Sequence, residues 1–502
     1  RCLVEMRVPS APAREIRRAL VLTSRYTTFV RHSVEGLAAA LQRAGVQTRV
    51  LMEPDRFSTL SGLAYAREVM DHPPDVVIGS NCTRAWFGDI LPRTVPFVSW
   101  VQDAIPKLFE PATARAQGPR DVLVGYAFNE LADQLEYDRS RMHYSGVPID
   151  AERFHGGEVA AADRARFECD LAMVSHHSET PEAMNHRLLA ELAMDEGMRA
   201  LLARVQPAVR DAVEHANTDW PFSRMRRAIR SLTIAGRPLP ESLVTSILRQ
   251  FALPLADRML RHESLAWAAE IAAARGLRLH LYGNGWERHP TLGRFARGPL
   301  THGEELRAAY RCAAVNLHVS ITTLVHQRVS ECALSGGLCI ARYHRDGISG
   351  PRATAMLELI EREPDVVDVE AGRIGYRVAD HPAAMRQHLL FSRLGEPTDG
   401  EFVWVNAARA ERAKSHRRLI DHDQDANELL GDLASLTYQS KQGLDDLVAR
   451  AVARDGWRES HSRLVANYAR KRLSFDTLVD RMLSAVRETT DTAGPVVLEH
   501  AG

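Results

Sequence analysis

Between positions 277 and 343 the chain sets out glycines, histidines, an arginine and a glutamate in an order that suits phosphate and hydroxyl recognition. The apolar run 277–281 reads as a buried strand and passes directly into Tyr282-Gly283-Asn284-Gly285. Gly283 and Gly285 let a backbone approach a phosphate or a base. An ordinary strand-to-helix turn asks for the same residues. Downstream, HQRVSECALSGG carries His326, Arg328, Glu331, Gly336 and Gly337. A guanidinium neutralises a diphosphate and stabilises the charge that builds on it as a leaving group. A carboxylate one turn on accepts hydrogen bonds. The same two side chains, three apart, also make an ordinary ion pair on a helix surface. His318 and His326 flank the loop, either as phosphate donors or as satisfied structural rings. Glycine loop, cation and carboxylate together suit a nucleoside diphosphate bearing a ribose or sugar.

Such a site needs strands that end together. The segment 304–312 patterns as a helix, 314–318 as a strand, the stretch around Arg328 as a helix closed by Gly336 and Gly337, and 338–341 as a strand. Strands alternating with helices imply a parallel sheet, whose ligands sit at the carboxyl ends of its strands. The amino-terminal part repeats the pattern. Strands are expected at 17–23, 46–52, 74–79, 96–101 and 121–125, with a helix over 31–44 whose apolar residues Val34, Leu37, Ala38 and Leu41 keep the helical period. The fold class is therefore α/β, with two doubly wound, Rossmann-like domains. The expected bounds are 14–160 for the first domain and 165–400 for the second. Within the second, a helical insertion over about 180–265 is broken by Pro207, Pro221, Pro238, Pro240 and Pro254, and 364–369 is one further short strand. A helical tail, 401–490, is expected to pack back across the domains.

At the first domain's strand ends the candidates are Asp103, a general base for an acceptor hydroxyl or a turn residue before Pro106, and a cluster of Ser24, Arg25, Thr27, Thr28 and His32. Arg25, Thr27, Thr28 and His32 are candidate ligand contacts, with helix capping the alternative for the threonines. Trp100 and Tyr26 suit stacking on a sugar, although the apolar neighbours of Trp100 favour the core. His176 and His177 follow the second domain's first expected strand, 168–175.

Composition narrows the classes. A chain of 502 residues exceeds one ordinary core. Lys and Arg total 64 and so do Asp and Glu, which removes the basic excess expected of bulk nucleic-acid binding. No apolar run is long enough to cross a bilayer, and no secretory signal is visible. The absent initial Met is read as a trimmed or partial chain. The 6 cysteines lack CxxC spacing, so neither a zinc site nor a disulfide framework is expected, and a reducing cytoplasm is the default location. No acidic pair with metal spacing follows a strand. Asp365 and Asp368 lie away from the glycine loop, so metal-free chemistry is expected, with no cofactor beyond the nucleotide-sugar substrate.

The paired doubly wound domains, the hinge SGVPIDAERF, the loop LYGNGWE and HQRVSECALSGG resemble the GT-B glycosyltransferases, in particular the CgeB-like branch of the group 1 enzymes. The likeness is loose over the first domain, firmer over 168–343, and uninformative beyond about 400. It implies two facing domains with a cleft between them. A nucleotide-sugar donor would be held mainly by the second and a glycan or protein acceptor by the first, with Arg25, Thr27, Thr28 and His32 as acceptor contacts. It also implies a ribose-binding role for Glu331 and places phosphate-binding groups near His176. The chain departs from the family where a second glutamate is common, at Thr323, and where many relatives carry a histidine, at Gln102-Asp103. The first departure leaves the stereochemical outcome open. An epimerase or phosphorylase on the same scaffold, or a non-catalytic binding protein, stands as the alternative.

Overall fold

The structure, a computed structural model, describes residues 15–23, 28–53, 60–103, 105–125, 131–132, 135–192, 195–217, 221–234, 236–321, 326–344, 359–360, 362–380, 401–407, 410–411, 433–453 and 456–492. Its described residues fall into two compact units. One runs up to Asp150 and resumes at Arg470; the other runs from Ala151 to Ala469. The first boundary lies inside the SGVPIDAERF segment.

The first unit opens with β1 (Arg18–Thr23), α1 (Thr28–Arg43), β2 (Gln47–Met52), α2 (Gly62–Asp71), β3 (Val76–Ser80), β4 (Phe97–Val101), α3 (Pro111–Arg115), β5 (Asp121–Gly125) and β6 (Met142–Tyr144). All six strands are parallel, in the order β2-β1-β3-β4-β5-β6. Val76, Ile78, Val98 and Trp100 face one side of this sheet, and Val77 and Phe97 face the other. Both faces are covered, which explains why the strands read as continuous apolar runs. Trp100 is a core residue, 1% exposed.

In the second unit come α4 (Ala161–Phe167), β7 (Cys169–Val174), α5 (Pro181–Leu192), α6 (Glu196–Glu214), α7 (Pro221–Arg230), the short pair β8 (Thr233–Ile234) and β9 (Arg237–Pro238), α8 (Glu241–Ile247) and α9 (Leu253–Arg275). Then follow β10 (Leu279–Tyr282), α10 (Glu304–Cys312), β11 (Ala313–His318), α11 (Gln327–Leu334), β12 (Cys339–Arg342), β13 (Val366–Asp368), β14 (Arg373–Arg377), β15 (Phe402–Asn406), α12 (Leu433–Leu436), β16 (Thr437–Tyr438), α13 (Lys441–Val452) and α14 (Trp457–Arg472), whose residues from Arg470 on belong to the first unit. The main sheet is parallel with order β10-β7-β11-β12-β16, and β13-β14-β15 form a small antiparallel sheet. The chain thus contains two doubly wound, Rossmann-like α/β units.

Three expectations need correction. Pro207 does not end a helix; it lies inside α6. A proline removes one backbone bond and crowds the preceding turn. The buried stripe of Leu201, Leu202, Val205, Val209, Ala212 and Val213 carries the helix through it. Pro254 does not break the chain either. A wide π turn over Leu248–Ala252 joins α8 to α9 without a gap, and the proline falls directly after it, where the irregular turn accommodates a residue that lacks an N–H. The region after 401 is not wholly helical. Phe402–Asn406 is β-branched and aromatic and pairs with β14, while Thr437–Tyr438 extends the main sheet beside β12.

The last helix, α15 (Phe475–Thr492), belongs to the first unit. Its Phe475, Leu478, Val479, Met482 and Val486 join the apolar cluster that contains Val34, Leu37 and Leu41 of α1. Gly36 makes this approach possible, because a methyl group there would sit 2.4 Å from a ring carbon of Phe475. Among the described residues no helix is long and apolar enough to cross a membrane.

Candidate functional site

The second sheet has a defined switch point. From β7 the chain crosses to β10 on one side and then returns to β11 on the other, which opens a crevice at the carboxyl ends of β7 and β11. The residues that follow those two strands are Ser175-His176-His177 and Val319-Ser320-Ile321. Asp257 of α9 bridges them. Its Oδ1 accepts the Ile321 N–H at 3.0 Å, and its Oδ2 lies 4.0 Å from Nδ1 of His177. Arg261, one turn on, donates from Nη2 to Asp257 at 2.7 Å. Burial would neutralise Asp257, but Arg261 and the Ile321 N–H hold its carboxyl below the usual range.

Arg261 is 5% exposed, and its Nε and Nη1 have no hydrogen-bond partner among the described residues. Two unmet donors on a buried guanidinium are costly, so they mark a place that a ligand would complete.

Beside this group, α11 presents the residues singled out in the sequence. His326 caps the helix, with Nδ1 accepting the Arg328 N–H at 3.1 Å. That bond requires a neutral ring, in keeping with a pKa pushed down to about 3 by burial and by nearby arginines. His318 stacks on His326 with ring centroids 5.2 Å apart. Arg328 contacts Nδ1 of His318 from Nη1 at 3.4 Å.

Glu331 is 4% exposed. Its Oε1 accepts from Nε2 of Gln327 at 2.5 Å and lies 3.7 Å from Nε2 of His302. Arg328 and Glu331 do not pair with each other. Among the described residues Arg328 has no carboxylate within ion-pair distance, and no hydrogen bond reaches Oε2 of Glu331. The surface ion pair allowed by their spacing is not formed.

The glycine loop adjoins the same edge. Gly283 has φ +139°, and a methyl group there would lie 2.0 Å from the Ser175 carbonyl oxygen; Gly285 has φ +85° and the same addition would meet Oγ of Ser178 at 2.4 Å. His176 accepts the Asn284 N–H at 3.1 Å, and Ser178 donates to the Asn284 carbonyl at 2.8 Å. The glycines therefore let the β10 loop press onto the β7 loop, and His176 fastens the two. Gly283→Ala is expected to cost about 3 kcal/mol or more, from a forbidden backbone region plus a backbone clash. Chemical denaturation would measure it, and a loss under about 1 kcal/mol would refute the close-packing account.

Gly336 and Gly337 lie at the other end of α11, before the amino end of β12. There a side chain would strike Arg311 or the Tyr310 carbonyl oxygen. They fit α11 against α10 and stand at the sheet edge opposite the crevice.

In the first unit, Asp103 follows β4, and its Oδ2 accepts from Nδ2 of Asn81 at 2.8 Å. Desolvation raises the Asp103 pKa, while the Asn81 amide opposes the shift. His32 sits on α1 with Nδ1 3.0 Å from the Glu35 carboxylate. Arg25 and Thr27, with Ser24, Tyr26 and Thr323, lie outside the described residues, as does the side chain of Thr28. No group of three or more His, Cys, Asp or Glu arranged to hold a metal ion occurs among the described residues.

Asp257 and Arg261 were missed by the sequence reading, which assigned their segment to an insertion. Four residues apart on a helix, they look like a surface pair. Only the crossover of α9 brings them to the strand ends.

No family model matches the chain, and neither does any curated protein. Among solved structures, MurG of Acinetobacter baumannii aligns at 9% identity and TM-score 0.34, covering 94% of this chain and 99% of its own. The glycosyltransferase SnogD from Streptomyces nogalater aligns at 11% and 0.32, covering 94% and 100%. A UDP-forming α,α-trehalose-phosphate synthase from Burkholderia xenovorans aligns at 12% and 0.38, covering 94% and 99%. These superpositions are too loose to carry an activity, a substrate or a mechanism across to this chain.

Proposed function

We propose that the chain is a glycosyltransferase, with the nucleoside-diphosphate sugar held by the second unit and the acceptor, a glycan or a protein side chain, by the first. One observation carries the reading. Among the described residues, a cation and a carboxylate on a single turn of α11 stay apart, each with bonding capacity unused, beside a buried arginine that has two unmet donors. Anionic phosphates suit Arg261 and Arg328, and ribose hydroxyls suit Oε2 of Glu331. As the bond from the anomeric carbon to the terminal phosphate oxygen breaks, its electron pair moves onto the diphosphate. Buried Arg261 and half-buried Arg328 then stabilise that charge. The same pair supplies positive charge of the kind a divalent ion gives in other transferases.

Thermal shift with UDP, GDP and CDP tests the binding, and nucleotide release from a panel of nucleotide sugars tests the transfer. At a hundredfold excess over its Kd, the matching nucleotide should stabilise the protein by about 2.7 kcal/mol. Release should depend on an added acceptor, which separates transfer from epimerisation. No shift with any nucleoside diphosphate would defeat the proposal.

A further inference from the structure

The first sheet has its own switch point, between β1 and β3, since β2 lies on the other side of β1. Strand alternation puts Thr23, Ser80 and Gln102 on one face of this sheet. They continue the rows that hold Val21, Ile78 and Trp100, but at the carboxyl ends of β1, β3 and β4. All three are at least nine-tenths buried, with exposures of 7%, 8% and 5%. Nε2 of Gln102 donates to Oγ of Ser80 at 3.2 Å. Yet Oε1 of Gln102 and Oγ1 of Thr23 have no partner among the described residues. An apolar face that ends in a buried polar row with unmet atoms is expensive unless something completes it.

Asn81 orders the rim of this row. It is a non-glycine residue at φ 52°, a conformation that costs free energy. The geometry gives it three bonds in return. Its Oδ1 accepts the N–H groups of Gln102 at 2.7 Å and Asp103 at 3.1 Å, and its Nδ2 holds Oδ2 of Asp103. Oδ1 of Asp103 is left without a hydrogen bond among the described residues. The unmet buried groups are thus an amide oxygen and a hydroxyl, and an exposed carboxylate oxygen stands at their rim. All three accept hydrogen bonds, and no Lys or Arg belongs to the set.

We infer that this row is a binding site for a neutral polyhydroxylated ligand, whose hydroxyl groups donate to Gln102, Thr23 and Asp103. The inference rests on the transferase reading and narrows its acceptor to a neutral sugar. A phosphate or carboxylate group would be repelled by Asp103. The acceptor hydroxyl would pass its proton to Oδ1 of Asp103 while its oxygen bonds to the anomeric carbon and the nucleoside diphosphate departs with the electron pair of the broken bond. Asn81 is the positioning residue for that carboxylate. Desolvation raises the pKa of Asp103, which strengthens it as a base.

The test uses the full chain and saturation-transfer difference NMR with neutral methyl hexosides, set against the corresponding uronic acids. A neutral hexoside should bind. Its affinity should fall about tenfold or more in Thr23→Val/Gln102→Met, which removes two buried unmet oxygens but also the amide that donates to Ser80, so its melting temperature should stay close to that of wild type. Thr23→Val alone is the smaller step should the double variant fold poorly. Failure of every neutral hexoside to bind, preference for the uronic acids, or unchanged binding in a folded variant would overturn the inference. Nucleoside diphosphate binding is read separately by thermal shift. A chain that takes the hexoside but no nucleotide keeps this site and loses the transferase reading; the opposite result does the reverse.

Discussion

In Arg328→Met the ligand-free protein is expected to melt higher than wild type, while its affinity for a nucleoside diphosphate falls about a hundredfold. The two effects have one cause. Arg328 sits in the first turn of α11, the end of a helix that repels a cation, and no carboxylate pairs with it among the described residues. Burial and Arg261 both push its pKa down, so its charge is held at a cost. Methionine keeps much of the aliphatic stem and removes that cost. What it surrenders in the free protein is a 3.4 Å contact with His318. With a diphosphate bound, the same guanidinium becomes a charge-assisted partner, and its loss is felt in full. Scanning fluorimetry and titration calorimetry on the two proteins would read both quantities. A lower melting temperature with unchanged nucleotide affinity would mean that Arg328 is a structural helix residue and that the site lies elsewhere.

Much of the scaffold was legible because both sheets are parallel and buried on both faces. Runs such as Val76-Val77-Ile78 and Phe97-Val98 are then apolar without interruption, and polar pairs such as Gln102-Asp103 mark the points where strands emerge. The placement of the α11 residues beside the strand ends was legible for the same reason, since a strand, a loop and a helix follow one another within a short stretch. Arg261 and Asp257 were not legible, because nothing in DRMLRHE distinguishes a crossover helix that reaches the crevice from a solvated one. Asn81 left a usable signal that went unread: it follows an apolar strand just as Gln102 does. β16 was hidden for another reason. Two residues between helix-patterned segments carry no period, and their strand character comes from pairing with Ala341 and Arg342.

Arg84→Met is expected to cost the first unit about 3–5 kcal/mol. Arg84 follows β3 and is buried with Asp121, the first residue of β5. Its Nε donates to Oδ1 and Oδ2 of Asp121 at 2.8 Å and 3.0 Å, Nη1 to the Pro92 carbonyl at 3.1 Å and Nη2 to the Val95 carbonyl at 2.5 Å. One side chain thereby ties the segment between β3 and β4 to the edge of β5. Its removal strands a buried carboxylate that keeps only the Gly118 N–H, at 2.8 Å. Burial already raises the Asp121 pKa, and Arg84 opposes that rise. An acid whose folded pKa lies above its unfolded one contributes stability that is full below the unfolded pKa and lost as pH rises through the folded pKa. Without Arg84 the folded pKa climbs further. The gap between variant and wild type should therefore be small in acid and widen toward neutrality, as urea denaturation at several pH values would show. Asp121→Asn added to Arg84→Met should recover the charge-dependent part of the loss and flatten its pH dependence. It should not recover the part owed to the Pro92 and Val95 carbonyls, which stay without their donor. A single variant whose deficit is the same at every pH would show that the ion pair contributes nothing and that Arg84 acts only through those carbonyls.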